Sequence, residues 1–586
     1  MIGLARSSGR PDASVARGVP GRRTLRLYLV KPSKYDDRDG TVLRYRWGVI
    51  PSNTLTVLAG INAEYARSRP AIAMQTVLWD EMLDGVLAPD VVASIADRAR
   101  DDGVEAIVAL AGVQTNQYPR ARDIALECLS HGIRVLAGGF HLSSHAPSRE
   151  FLVSIGATVA VGEAEDFWPR MMDDLLRGAL APGYSVADGI RARTGSGTVL
   201  VPPIDATPLP RIEPRYLTRF FNHRYSTVDT SRGCPFACSY CAVKDVMGRT
   251  MRARDPSRVV EWVRDAHDRH GINGLFLVDD DLFRSPRCEE LLRGLAGLRR
   301  SGRPISFMMQ ADVEASFHAS RDRDEPESER HRRSRRFVDL AAEAGCYVVF
   351  VGFESFDPAN LEAARKFHNQ PGARGERAER SVDRVKEKYA IAVREWHRAG
   401  IAVHGGYMIG FPHDGPGCGR AAARNLVAAG VDIVSFFVNT PAPGTEDFAA
   451  AERSGAILDR DFNAYDSQHA VAVHPLLTPA QIEREYVEAQ QSFYSWRRLA
   501  WSLATLHRVP GLSMSSRIGM VAQDLYITYA YRRGWHPMLG GIWRIRDRSV
   551  RRGAVSDAEA LAGSRIRGAA ALRCESSSSG SQAVAR

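Results

Sequence analysis

STVDTSRGCPFACSYCAVK, residues 226–244, is the stretch on which the reading of this chain turns. Its β-branched opening fits a strand, and Gly233, Pro235 and Ser239 mark the residues after it as a loop. In that loop stand Cys234, Cys238 and Cys241, a C-x3-C-x2-C spacing. Buried core cysteines do not suit a loop. Structural zinc asks for four closed ligands, usually as paired knuckles, and no second pair exists. A disulfide leaves one thiol over. Three thiolates do suit a 4Fe–4S cluster, in which they leave one iron open for a substrate or cofactor.

Outward from the loop, residues 226–450 alternate strand and helix patterns. STVDTS, GLFLVDD (274–280), PISFMMQ (304–310), CYVVFVGFE (346–354), IAVHGGYMIG (401–410) and DIVSFFV (432–438) predict six parallel strands of an incomplete (β/α)6 barrel, with functional groups at the strand carboxyl ends. The run RDRDEPESERHRRSRR (321–336) reads as a solvated insertion.

Upstream, residues 23–185 hold LRLYLV (25–30), AIAMQTVL (71–78), VEAIVALAG (104–112), IRVLAGG (133–139) and ATVAVG (157–162). These are buried-strand runs separated by helix patterns at 53–67, 87–101, 117–131, 147–155 and 164–177. They predict a doubly wound, Rossmann-like α/β domain with its ligand at the carboxyl edge of the sheet. Residues 186–225, centred on PPIDATPLPRIEP, read as a linker. Residues 451–552 read as a mainly helical C-terminal domain, and 1–22 and 553–586 as disordered ends.

Composition excludes several classes. The 586 residues are 44% hydrophobic and 25% charged, ordinary for a multidomain globular chain. No apolar run is long enough to span a bilayer. Eight cysteines are far too few for a disulfide scaffold. The net charge of +10 is slight for this length and reads as a solvated Arg-rich surface, so nucleic acid is not an expected partner. The first 22 residues lack the apolar core of a secretion signal, which sets a cytoplasmic expectation.

The cysteine loop, with Tyr240 before its last cysteine, resembles the signature of the radical S-adenosylmethionine (radical SAM) enzymes. The resemblance implies that the open iron chelates S-adenosylmethionine and that the cluster's electron breaks the sulfonium to a 5′-deoxyadenosyl radical. It also implies an electron donor such as flavodoxin or ferredoxin. VDDDLF (278–283) falls where the family has a group near the methionine amino end, which implicates Asp279 and Asp281. A carboxylate suits an ammonium. GFES (352–355) resembles the ribose-contacting element, with Glu354 its acid. GYMIGFP (406–412), with Gly410, and Tyr240 correspond to the adenine site.

The N-terminal domain resembles the cobalamin-binding domains found in one branch of that family. AGVQTNQ (111–117), AGGFH (137–141) and VGEAE (161–165) follow its third, fourth and fifth strands. By that resemblance Thr115, Gly138, Gly139, His141, Gly162 and Glu163 would line the nucleotide tail of the corrinoid. One departure stands out: the D-x-H-x-x-G motif supplying a lower axial histidine should follow the first strand, and KPSKYDDRDG (31–40) has none. DAHDRHG (265–271) is misspaced and lies in the wrong domain.

Together these features resemble a cobalamin-dependent radical SAM enzyme that methylates an unactivated carbon of a small-molecule or lipid-like substrate. The alternative on the same scaffold is a radical cyclase or ring-rearranging enzyme without net methyl transfer. No residue declares the substrate or quenches a substrate radical. A different class, a non-catalytic nucleic-acid or membrane-surface protein, is motivated by the basic charge balance and by the stretch holding Trp535, Trp543, Arg544, Arg546, Arg548, Arg551 and Arg552.

Overall fold

The computed structural model describes residues 23–320, 328–370, 381–505, 514–533, 541–553 and 556–563. Trp535, the first 22 residues and the end of the chain from 564 lie outside them. Two parallel sheets dominate.

The first is built on the apolar run that opens the described chain. Strand β1 (Arg23–Lys31) is buried on both faces, and residues Leu25, Leu27 and Leu29 have no exposed surface. After it, β2 (Thr41–Gly48) leaves the sheet, and α1 (Asn53–Arg67) begins where Ser52 Oγ accepts from Leu55 N. The chain then runs through β3 (Ile72–Asp80), α2 (Pro89–Asp101), β4 (Glu105–Leu110), α3 (Tyr118–Ser130) and β5 (Arg134–Gly138). It continues through α4 (Phe140–Ser144), α5 (Ala146–Ser154), β6 (Thr158–Val161) and α6 (Ala164–Arg177) to a short sixth strand, β7 (Gly183–Ser185). The order is β3-β1-β4-β5-β6-β7 with every pair parallel. Its winding reverses between β1 and β4, so the binding crevice lies beyond their carboxyl ends.

The stretch read as a linker carries structure of its own. β8 (Ile190–Arg193) and β9 (Thr198–Val201) form an antiparallel hairpin, and Ala192, Val201 and Ile204 are buried.

The second sheet takes its strands in sequence order. After β10 (Tyr225–Val228), β11 (Ser231–Arg232) pairs with β12 (Arg252–Ala253) and closes the cysteine loop. Then β13 (Gly274–Leu277), β14 (Ser306–Gln310), β15 (Cys346–Glu354), β16 (Ala402–Ile409) and β17 (Ile433–Val438) extend the sheet from β10, all parallel. A long helix separates most successive strands. That between β14 and β15, Glu329–Ala344, corrects the solvated-insertion reading for its second half. Ser334, Phe337, Val338 and Ala341 face the core, while Arg332 and Arg336 pair with Glu329. A run of charge had hidden one apolar face of a helix. Residues 321–327 lie outside the described set.

Two further elements depart from expectation. GGIWRIRDRSVRR supplies β18 (Gly541–Arg551), which pairs antiparallel with β2 of the first domain, with Arg44 bound to Asp547 at 2.6 Å. Its alternating apolar and basic residues have strand periodicity. Near the end, helix Asp557–Gly563 packs on α3: Tyr118 Oη donates to Asp557 at 2.9 Å, so the final segment is not disordered throughout. No described helix is long and apolar enough to cross a membrane.

Buried ions join the two domains. Arg232 reaches Glu163 and Glu165 at 2.6 Å each and Asp229 at 2.8 Å. Arg254 adds a 3.0 Å pair to Asp229. On the far side, Lys34 sits between Asp37 (3.0 Å) and Asp466 (2.6 Å).

Candidate active site between the two sheets

The cysteine loop has a fixed backbone. Gly233 takes φ +91°, and a Cβ there would lie 2.5 Å from the carbonyl oxygen of Thr250. Cys234 N donates to Gly248 O, and the Arg249 guanidinium donates to Pro235 O at 2.8 Å. All three thiols are free. Burial, then neighbouring Cys238, pushes the Cys241 thiol up to about 12; burial, then Asp281 and Cys241, raises Cys234. Three free thiols on one short loop, each made reluctant to ionise by burial, form a donor set that calls for a cationic centre. A 4Fe–4S cluster fits it.

The aspartates after β13 divide into three roles. Asp279 is consumed by the fold: its carboxylate accepts from Thr230 Oγ1 at 2.8 Å, Ser231 Oγ at 2.6 Å and both backbone amides, tying the end of β10 to β13. Asp281 is buried beside Asp312; burial and then that neighbour push the Asp281 carboxyl well above the ordinary carboxylate range, while Arg284 holds that of Asp312 below it. Asp280, between them, lines the cavity where the domains meet. Burial, then Asp279 and Glu163, raises its carboxyl to about 7. Of the expected methionine-side acids, Asp279 and Asp281 are turned inward, and the cavity-facing carboxylate is their neighbour.

Glu354 ends β15 at φ +61°, rare for a residue with a side chain, where the register with β16 shifts. Such a bulge re-aims a side chain at a functional edge. The strained turn is pinned by Asn369 Nδ2 on the carbonyls of Gly352 and Phe353, and by Tyr389 Oη on that of Phe353. A Cβ on Gly352 would stand 2.4 Å from Glu354 Oε1 and 2.9 Å from Lys366 Nζ, so a larger residue there would displace that pair. Glu354 receives Lys366 Nζ at 2.9 Å, and its charge helps to hold the Tyr240 phenol, already raised by burial, well above its ordinary value. Burial alone would lower the Lys366 ammonium; Glu354 and then Cys238 outweigh it and raise it. Lys366 thus pairs with the acid at the strand end and feels the charge of the nearby thiols of the loop. Gly410, at φ +94°, donates its amide to Asp414 at 2.8 Å. It opens a smaller cavity with Ser239, Phe411 and His474, and Phe411 meets Tyr240 edge-on at 6.0 Å. Tyr240, Glu354 and Gly410 therefore converge beside the cysteines.

A cavity of about 350 Å³ separates the domains. Its floor is the glycine-rich carboxyl edge of the first sheet: Gly112, Gly138, Gly139 and Gly162. A side chain is excluded at Gly139, where a Cβ would lie 2.1 Å from Val113 N, and crowded at Gly138, where it would lie 3.3 Å from Ala160. Between α1 and α6 the cavity continues as an apolar slot lined by Leu58, Ile61, Phe167, Trp168 and Met171. Its roof is Asp229, Arg232, Val278 and Asp280 of the second domain. A bare backbone edge leading into an aromatic-lined slot fits the nucleotide tail of a corrinoid.

Of the residues expected around that tail, Gly138, Gly139, Gly162 and Glu163 line the cavity, and Glu163 also binds Arg232 and Arg252. Thr115 and His141 do not line it. They meet each other at 3.4 Å, and His141 is buried against Ser148 Oγ (2.9 Å), Tyr118 and Phe462. Burial and then His145 push its pKa well below the ordinary value, leaving it neutral and packed. Lys366 and Arg252 were not foreseen. Neither lies in a recognisable pattern, and only the three-dimensional contacts reveal them.

Residues 228–414 match the radical SAM superfamily, which makes the second sheet a radical SAM domain and the protein an enzyme. The relatives extend over both domains. Bacteriochlorophyllide d C-8(2)-methyltransferase of Chlorobaculum tepidum is 23% identical over 415 residues, 69% of this chain and 81% of its own. Hopanoid C-3 methylase of Methylococcus capsulatus is 25% identical over 354 residues, 58% of this chain and 59% of its own. TsrM from Kitasatospora setae, a radical S-adenosylmethionine methyltransferase solved with cobalamin and a [4Fe-4S] cluster, has the same fold. It covers 87% of this chain and all of its own with TM-score 0.54 at 16% identity. The cobalamin-dependent radical enzyme OxsB, solved with aqua-cobalamin, gives TM-score 0.56 at 16% identity over 87% of this chain and 72% of its own. This chain therefore holds a radical SAM domain and is similar, beyond that domain, to cobalamin-dependent radical SAM enzymes.

Proposed function

We propose that the protein is a cobalamin-dependent radical SAM methyltransferase acting on an unactivated carbon of a small-molecule or lipid-like substrate. The observation that carries this reading is the cavity shared by the two sheets: glycines of one domain face Asp280 of the other, next to the cysteine loop. When bound, a 4Fe–4S cluster with S-adenosylmethionine supplies hydrogen-atom abstraction, and cobalamin supplies a transferable methyl group. An unactivated carbon has no lone pair with which to attack a sulfonium, so both supplies are needed.

The chain's own residues bind and orient. Cys234, Cys238 and Cys241 would ligate the cluster. Glu354, set by its bulge and by Lys366, would accept hydroxyl donors of a ribose, while Lys366 offers a cation to a carboxylate. Tyr240, Phe411 and Gly410 would flank a purine, and the slot between α1 and α6 would hold the corrinoid's nucleotide base. The Arg232–Glu163–Arg252 bridge would hold the domains at a fixed separation and keep water from the cavity. Asp280 is the one of the three aspartates placed to meet a substrate polar group or take up a proton. The names of the relatives give pigments and hopanoids as methyl acceptors, which supports a large apolar acceptor here. The test is anaerobic incubation with methyl-labelled S-adenosylmethionine, a reductant and an extract of candidate lipids or pigments. Label in a carbon-bound methyl of product supports the reading; consumption of acceptor with no label in product contradicts it.

A further inference from the structure

The last two long helices present apolar residues outward. Helix Trp496–Thr505 buries Leu499 and Ser502 and exposes Trp496, Ala500, Trp501 and Leu503. Helix Met514–Arg532 exposes Met514, Ile518, Ala522, Leu525 and Tyr529, which recur at helical spacing and form one stripe over four turns. Exposure reaches 61% at Trp496, 58% at Met514 and 57% at Ile518. The inner face is apolar as well: Met520, Val521, Ile527, Ala530 and Tyr531 are buried, and among them Asp524, 2% exposed, accepts from Ser502 Oγ at 2.6 Å. A helix apolar on its exposed face as well as its buried one departs from the usual amphipathic arrangement of a surface helix.

The charge beside this face has one sign. The two helices and Arg533 carry Arg497, Arg498, Arg517, Arg532 and Arg533, against a single acid, the buried Asp524. Arg532 lies 4.4 Å over the ring of Trp496, and Arg533 lies 5.3 Å over Tyr529, which sets cations and amphipathic rings together at one end.

We propose that this helix pair is a docking surface for an anionic lipid bilayer. The apolar stripe would lie in the boundary between headgroups and acyl chains, with indole and phenol rings at headgroup level and arginines on lipid phosphates. Neither helix is long and apolar enough to cross a membrane, so the protein would lie on the surface. A protein partner would have to match an apolar stripe whose own helices, with Arg533, carry five arginines and only one acid, the buried Asp524. An anionic bilayer does so without a specific sequence.

Flotation of the full-length protein with vesicles of equal parts phosphatidylglycerol and phosphatidylcholine, beside pure phosphatidylcholine, tests this. The protein should float with the anionic vesicles, less so at high salt, and little with the neutral ones. The double variant Ile518→Asp, Leu525→Asp should lower partition roughly tenfold or more with an unchanged melting curve. Arg532→Gln, Arg533→Gln, which leaves the apolar stripe intact, should remove much of the salt-sensitive part. The proposal is overturned by absence from the anionic vesicles, by equal flotation of the aspartate variant, or by equal binding to neutral vesicles. It is also overturned if the chain is a dimer that the aspartates dissociate, because the face then belongs to a second copy.

Discussion

At the carboxyl edge of the second sheet the chain offers groups: three thiols, Glu354 with Lys366, and Asp280. At the carboxyl edge of the first sheet it offers room: Gly112, Gly138, Gly139 and Gly162, and an apolar slot behind them. One edge would hold its cofactors by donor atoms, the other by shape and backbone. The two therefore fail differently. Losing a donor at the second sheet removes a cofactor and leaves the fold, whereas adding an atom at the first blocks a cofactor and strains the fold.

The largest effect is expected at the thiols. Cys238→Ala should reduce cluster iron and reductive cleavage of S-adenosylmethionine to background, with corrinoid binding retained, as measured by iron content and optical spectroscopy. Loss of both cofactors together would break the division between the edges. Gly139→Ala comes next. A methyl 2.1 Å from Val113 N forces the backbone apart, so corrinoid affinity should fall by about tenfold or more and stability by on the order of 2 kcal/mol. Iron incorporation should survive. Calorimetry and corrinoid titration check both. Glu354→Gln should weaken S-adenosylmethionine binding by roughly tenfold with cluster and corrinoid intact, read by equilibrium binding.

A smaller effect concerns pH. The Asp280 carboxyl titrates near 7 in the folded chain, above its unfolded value, so its protonated form favours folding. That contribution is complete below the unfolded value of about 4 and is lost as pH rises through about 7. Asp280→Asn should make the cluster-free protein more stable near pH 8 by on the order of 1 kcal/mol and flatten this part of its melting profile. An unchanged profile would mean that Asp280 is not buried with its neighbours. The smallest effect is expected at His141. Since it is hydrogen-bonded to Ser148 and packed on Tyr118, His141→Phe should leave the corrinoid spectrum unchanged. A shifted corrinoid band would make His141 a cobalt-facing residue.

The same contrast explains what could be read from the sequence. Buried parallel strands are continuous apolar runs, so LRLYLV and CYVVFVGFE declare themselves, and helix α1 begins and ends at the expected residues. The cysteine spacing is local and chemically distinctive. Long-range pairings leave no local trace: β18 returns to β2 from the opposite end of the chain. The aspartate run shows three equal letters, yet hydrogen bonds from Thr230 and Ser231 claim the first, Asp312 engages the third, and only the second lines the cavity. Lys366 reaches Glu354 through a loop that no periodicity marks. His141 comes two residues after a pair of cavity-lining glycines, but the helix that starts there turns it into the core.

The central claim is that one chain holds both cofactors across a shared cavity. Anaerobic reconstitution with iron, sulfide and hydroxocobalamin, then gel filtration and an optical spectrum, tests it most directly. The account predicts about four irons and about one corrinoid per chain, co-eluting, with both absorption bands present. Iron without a retained corrinoid would contradict it.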